Sequence, residues 1–133
     1  ILMVSILERG IDIASSLDEL ILSPHSDTDK VRAYILSSGF MISDEKMVMD
    51  DGKFYTVIKA VQGSEAPYDE GELLYGRVLQ CKKDEVFSAF MDKEEEKYRT
   101  ILDSLKSKDT KRSLSRKKEV EHRLDLILGI KHG

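Results

Sequence analysis

Three groups of residues in this 133-residue chain carry side chains suited to chemistry. Ser23-Pro24-His25 follows the apolar stretch Leu20-Ile21-Leu22. A strand that stops there presents a hydroxyl and an imidazole at the place where open α/β sheets hold their ligands. His25 offers a general base; the plainer reading of the same residues is that Pro24 ends the strand and Ser26 caps the next helix. Tyr55, beside Phe54, has an aromatic face that can stack on an extruded base or cover a core from one side. Finally, Lys106, Lys108, Lys111, Arg112, Arg116, Lys117 and Lys118 put seven positive charges against Asp109 alone in the span 104–118. Such a run attracts phosphates by releasing their counterions, or it is a solvated turn.

Other chemistries have little to work with. The single cysteine, Cys81, excludes an internal disulfide framework, and His25, His122 and His132 are too scattered to suggest a metal site. The net charge of −4 conceals a division: residues 1–81 hold 7 Lys/Arg against 14 Asp/Glu, whereas residues 82–133 hold 14 against 11. This is the pattern of an acidic body with a basic appendage. At 41% apolar and 35% charged the chain reads as a folded domain. Its longest apolar run, Ile1 to Leu7, falls well short of the roughly 18 residues of a membrane span and lacks the flanks of a signal peptide. A cytoplasmic, membrane-free protein is expected. The start at Ile1 reads as a piece of a longer polypeptide.

The elements that must position these groups are legible in outline. Ile1 to Leu7 reads as a buried helix capped near Gly10, with a strand as the alternative. Leu20-Ile21-Leu22 has the continuous apolar character of a strand buried on both faces in a parallel sheet. Ser26, with Asp29 three positions later, suggests a helix N-terminus. Val31, Tyr34, Ile35 and Ser38 then lie on one helical face, and Gly39 ends the helix. With Phe40-Met41-Ile42 this forms a strand-helix-strand crossover. Residues 40–49 and 53–62 flank Asp50-Asp51-Gly52 as an antiparallel hairpin. Residues 63–72 read as a surface connector. Apolar positions from Asp84 to Leu105 and from Arg116 to Leu128 predict two amphipathic helices, joined by a polar segment around 106–115, in an antiparallel hairpin.

The order Ser15-Ser16-Leu17-Asp18-Glu19-Leu20-Ile21-Leu22-Ser23-Pro24-His25, then Val31-Arg32, Ser38-Gly39-Phe40, Asp51-Gly52-Lys53-Phe54-Tyr55 and Tyr75-Gly76, resembles the bacterial tRNA (adenine-N1)-methyltransferase family that modifies position 22 of tRNA. The resemblance covers essentially the whole chain. It implies an α/β fold: the C-terminal half of a class I methyltransferase Rossmann-like sheet, ending in an antiparallel hairpin and followed by an α-helical coiled-coil hairpin. The family's Asp-x-Gly-Ser-Asp-His and Gly-Met-Gly-Gly cofactor loops have no counterpart here, and Ile1 falls just after the second. S-adenosylmethionine is therefore expected to be held mainly outside this chain, which by itself would be inactive. Where the family has Gln-Pro-Asn, this sequence has Ser23-Pro24-His25; the resemblance assigns these residues to positioning the target base, and Tyr55, through its aromatic face, is a further candidate for contact with it.

The implied organisation is residues 1–80 as part of the methyltransferase domain and residues 81–133 as a helical hairpin whose seven basic residues bind tRNA. Self-association is expected through an open edge on the strand around Leu20–Leu22, since half a sheet leaves that edge unpaired. The other class of function is a non-enzymatic module in which the hairpin binds RNA or mediates protein assembly.

Overall fold

A computed structural model describes the backbone of Leu2–Ile6 and Ile11–Ser15 and all of residues 19–133. The elements in chain order are β1 (Leu2–Ile6), β2 (Ile11–Ser15), β3 (Glu19–Pro24), α1 (Thr28–Ser37), β4 (Phe40–Asp50), β5 (Lys53–Gln62), α2 (Glu70–Tyr75), α3 (Arg77–Lys82), α4 (Glu85–Leu105) and α5 (Lys111–His132). They fall into two compact units, Ile1–Val86 and Phe87–Gly133.

The first unit is built on a five-stranded sheet of order β1-β2-β3-β5-β4, with every neighbouring pair antiparallel. β3 and β4 both run against β5, so they are parallel to one another with β5 inserted between them. The crossover read from the sequence is therefore present, but its two strands do not pair with each other. The hairpin closes at Asp51 and Gly52, both with positive φ (52° and 75°), as a two-residue turn matched to strand twist requires.

Several expectations change. The helix expected over the first ten residues is replaced by strand β1 at Leu2–Ile6, the alternative that the apolar run allowed; Gly10 lies outside the described residues. β3 is not a doubly buried parallel strand: Leu22 and Pro24 point inward while Ile21 is 39% exposed. The edge of β3 expected to be open carries β2, so β3 is hydrogen-bonded on both sides and offers no edge for self-association. The helix start also moves. Asp27, not Ser26, is the N-cap of α1; its left-handed backbone (φ 51°, ψ 43°) turns the chain so that its carbonyl accepts from Lys30 N and Val31 N, without a side-chain cap.

The core lies where the helices cover one face of the sheet. Leu22, Val31, Ile35, Ile42, Ile58 and Ala60 form one buried cluster, with Leu20, Leu36, Phe40, Tyr68 and Val78 packed against it. Val31, Arg32 and Ile35 are the buried residues of α1, whereas Tyr34, expected on that face, is 68% exposed. Arg32 takes the inward place because a carboxylate waits for it. A bulge between Ile42 and Asp44 leaves Ser43 unpaired and shifts the strand's alternation by one, so that Glu45 and Met47 lie opposite the inward residues Ile58 and Thr56. Arg32 Nε then donates to Glu45 Oε2 at 2.7 Å, with side-chain exposures of 1% and 0%.

The second unit consists of α4 from Phe87 onward and α5. Lys131 of α5 pairs with Asp92 and Glu95 in the middle part of α4, while Lys117 Nζ donates to the Lys106 carbonyl just beyond its end. The helices thus run antiparallel. Phe87, Met91, Val120, Leu124 and Ile127 are buried, as the helical spacing predicts.

Candidate functional site

The chemistry-bearing residues fall into two places, one in each unit. In the first, β3 ends at Pro24, which lacks the N–H a longer ladder would need. Ser23 is half-buried, Pro24 buried and His25 exposed. Leu22 is the last residue of β3 paired with β5, opposite Ile58. Tyr55 precedes Ile58 by three positions on a strand running the other way, so it lies at the same end of the sheet as Ser23-Pro24-His25. It is half-buried and pairs with Val48 of β4. Alternation places Tyr55 and Ser23 on the face opposite the inward Leu22 and Ile58. The four residues are thus gathered at one sheet end, with the tight Asp27 turn immediately behind them.

In the second unit, all seven basic residues cluster at one end of the helical pair. The polar segment expected over 106–115 is shorter than its composition suggested, because α5 begins at Lys111. Thr110 explains this: its hydroxyl accepts from Ser113 N at 3.1 Å and donates to Ser113 Oγ at 2.8 Å, capping the helix. Lys106 and Lys108 therefore lie in the connector, whereas Lys111, Arg112, Arg116, Lys117 and Lys118 lie on the first turns of α5. All are exposed except Lys117, which is half-buried. The carboxylates nearby take few of these charges: Lys106 pairs with Asp103 at 3.0 Å and Arg116 with Glu119 at 3.2 Å, both at the surface. Exposed pairs of this kind are weak, so the positive field of the tip survives.

Sequence reasoning missed a third set, half-buried where the connector meets α2 and α3. Arg77 donates to Glu72 (2.6 Å), Glu65 (3.3 Å) and the carbonyls of Ala66 (3.0 Å) and Pro67 (2.6 Å), and its guanidinium lies 4.1 Å from the centre of the Tyr68 ring. Glu65 in turn accepts from Ile42 N at 2.8 Å, tying the connector to β4. Burial pushes the Tyr68 phenol up to about 12, with the Glu65 and Glu45 charges adding to it. The Arg77 guanidinium holds the Glu72 carboxyl below its usual range. The connector is at the surface, as expected, and these bonds hold it as a strap. The signal for it was thin: one arginine in a helix preceded by acids five and twelve positions back. Its charged groups satisfy one another, which marks a structural clasp, while the buried Tyr68 hydroxyl has no hydrogen-bond partner.

Could these residues hold a cofactor? The short turn from β3 to α1, His25-Ser26-Asp27, contains no glycine. A close backbone approach to a nucleotide-like ligand ordinarily uses glycine at such a turn, so these residues do not supply a cradle for S-adenosylmethionine. Among the described residues no cluster of metal-binding side chains occurs, and no helix is long and apolar enough to cross a membrane.

Comparison with known proteins fits this geometry. The chain is 29% identical over 132 residues to the tRNA (adenine(22)-N(1))-methyltransferase of Bacillus subtilis (strain 168), covering 95% of this chain and 56% of that protein. The crystal structure of the B. subtilis m1A22 tRNA methyltransferase TrmK superposes with a TM-score of 0.77 at 24% identity, over 85% of this chain and 51% of that one. M. capricolum TrmK, solved with S-adenosyl-homocysteine, gives 0.72 at 15% identity, over 86% and 49%. The chain thus spans about half the length of the relatives it matches. Residues 1–128 match the family described as TrmK, tRNA (adenine(22)-N(1))-methyltransferase, and the chain belongs to that family.

Proposed function

We propose that this chain is the C-terminal portion of an S-adenosylmethionine-dependent tRNA methyltransferase that methylates N1 of the adenine at position 22. On this reading residues 1–80 contribute the last strands of a class I methyltransferase sheet, and residues 81–133 form a coiled-coil hairpin that grips tRNA. One observation carries it: β5 inserted antiparallel between the parallel pair β3 and β4, in a chain matched to the family over residues 1–128. Doubly wound sheets usually stay parallel to the edge, whereas the class I methyltransferase sheet ends in this inserted strand.

The division of labour follows from what each part can do. Methyl transfer to a ring nitrogen depends chiefly on holding the base in place. Ser23 and His25 at the carboxyl end of β3, with Tyr55 at the same sheet end, supply donors, acceptors and an aromatic face for that task. The acidic first unit repels phosphate, so affinity for tRNA falls to the basic tip. The cofactor cradle belongs to the half of the relatives that this chain does not span.

The test compares two preparations by calorimetry and by methyl transfer: this chain alone, and this chain fused behind the amino-terminal half of the B. subtilis relative. We expect S-adenosylmethionine binding and tRNA methylation only in the fusion, with Tyr55→Ala lowering the rate. A folded fusion that binds the cofactor but leaves tRNA unmethylated overturns the reading in favour of a non-enzymatic RNA-binding or assembly module.

A further inference from the structure

The tip of the helical pair carries more than charge. On α5, Lys111, Leu114, Ser115 and Lys118 recur at helical spacing and form one face. All four are exposed, and Leu114, at 47%, is one of only four large hydrophobics so exposed among the described residues. At about 1.5 Å of rise per residue the two lysines stand roughly 10 Å apart along the axis. Between them lie an isobutyl group and a hydroxyl. Arg112 lies to one side of this face, whereas Arg116 lies nearly opposite it and pairs with Glu119.

Equally telling is what the tip lacks. The span 104–118 contains no aromatic residue and no Asn or Gln. Proteins that seize single strands stack bases on aromatic rings, and those that read base edges favour amides and bidentate arginines in an accessible groove. Stacking does not fit, and of the edge-reading residues only Arg112 and Arg116 are present, Arg116 already paired with Glu119. A face with cations at both ends and a small apolar and hydroxyl centre fits a wide, shallow groove bordered by phosphates and lined by riboses, which is the minor groove of an A-form RNA helix.

We infer that this face of α5 docks on the minor groove of double-helical RNA without reading its sequence. Lys111 and Lys118 reach phosphates on the two sides, Leu114 lies against ribose, and the Ser115 hydroxyl meets a 2′-OH. The inference rests on the hairpin being the tRNA-binding part, and it specifies that the part contacted is a stem. A membrane surface is disfavoured because Leu114 stands alone, whereas an interfacial helix needs a continuous apolar stripe.

Binding of the whole chain is measured by fluorescence anisotropy at several salt concentrations. The probes are a tRNA transcript, two 16-base-pair RNA duplexes of unrelated sequence, a DNA duplex of one of those sequences, oligouridine, and anionic vesicles. We expect the two RNA duplexes to bind equally and at least several-fold more tightly than oligouridine or DNA. The salt slope should be about −2 to −3, as for two or three phosphate contacts, and flatten by about one unit for Lys111→Ala or Lys118→Ala. Leu114→Ala, at an exposed site that leaves helix content unchanged by circular dichroism, should weaken the RNA duplex and leave the DNA duplex unaffected. If tRNA binds but duplex RNA binds no better than oligouridine or DNA, the groove assignment is wrong while the tRNA-binding role of the hairpin stands. Failure to bind any RNA, or a preference for vesicles, overturns both.

Discussion

The two units use charge in opposite ways. In the sheet unit the decisive charges are inside: Arg32 and Glu45 are almost wholly buried, and every exposed direction is taken by protein groups. Arg32 Nη1 donates to the Leu73 carbonyl at 2.8 Å, Glu45 Oε1 accepts from Val78 N at 3.2 Å, and Lys82 donates to the Glu45 carbonyl at 2.7 Å. One ion pair thereby ties α1, β4, α2 and α3 together. In the helical unit the core is apolar and the charges lie outside, with a basic cluster at one end that carboxylates only partly balance. Charge that must fix an architecture is desolvated and saturated with partners. Charge proposed to meet a ligand is left in water.

The largest expected effect comes from breaking the inside arrangement. Removing one member of a buried pair strands the other without water or counter-charge, which costs about 3–5 kcal/mol, whereas replacing both by apolar groups of similar volume is often neutral. Arg32→Ala should therefore lower the unfolding free energy of the sheet unit by about 3–5 kcal/mol in urea titration. Arg32→Met combined with Glu45→Leu should recover most of that loss. Equal loss in the single and double variants would show that the pair's hydrogen bonds to Leu73 and Val78, and not the charge pairing, are what matter.

Next comes Gly76, which joins α2 to α3 with φ 90°. A β-carbon there would stand 2.7 Å from Glu45 Oε1 and 2.8 Å from Arg32 Nη2, and neither atom can move without giving up its partner. Backbone strain alone contributes about 1–3 kcal/mol. Gly76→Ala should thus destabilise the sheet unit by at least about 2 kcal/mol, measured by thermal unfolding, while Gly52→Ala, where a β-carbon meets nothing within 4 Å, should cost only the strain. Matching losses at the two sites would mean the ion pair is softer than its burial implies.

These two positions also show how far the sequence could be read. The hairpin at Asp51-Gly52, the helix ending at Gly39, and the apolar spacing of α4 and α5 are local signals, and the fold obeys them. Arg32 and Glu45 were invisible because their pairing depends on a bulge at Ser43 that no composition rule marks; with regular alternation Glu45 would face outward. Tyr34 was misplaced for the same reason, since an aromatic ranks above an arginine as a core residue unless a buried carboxylate is known. At the candidate site, Ser23-Pro24-His25 and Tyr55 were legible as residues but their common sheet end was not, because it follows from a register between strands more than thirty residues apart. The basic run was legible from composition alone, whereas its placement on a helix turned on the single cap at Thr110.

A smaller effect distinguishes the surface pairs of the helical unit. Glu95 accepts from both Lys131 and Arg99 at 2.7 Å, and hydrogen bonds from Lys131 and then Arg99 hold its carboxyl down to about 2. A carboxylate with a depressed folded-state pKa contributes stability above its unfolded value, near 4.5, and loses it as pH falls toward 2. The melting temperature of the chain should therefore fall between pH 4.5 and 2 more steeply than in Glu95→Gln, in which that part of the dependence is gone. Added salt should narrow the difference, because the groups are at the surface. Identical pH profiles would remove Glu95 from the account.

The smallest effect has the opposite sign, and it bears most directly on function. Lys111 and Arg112 occupy the first turn of α5, where the helix dipole is positive and cations are disfavoured by about 0.3–1 kcal/mol each. A helix selected only for stability would place acids there, as α2 does with Glu70 and Glu72. Lys111→Glu with Arg112→Glu should thus raise the stability of the helical unit by about 0.5–1.5 kcal/mol in urea titration at low salt. The same substitution should lower tRNA affinity more than tenfold and flatten its salt dependence by about two units. The two readouts must move apart if the tip is held against its own helix for the sake of a phosphate backbone. A variant that loses both stability and binding would instead mean that these cations support the cap at Thr110. One that gains stability and keeps its affinity would show that the tip's charge, though exposed, is not what meets the RNA.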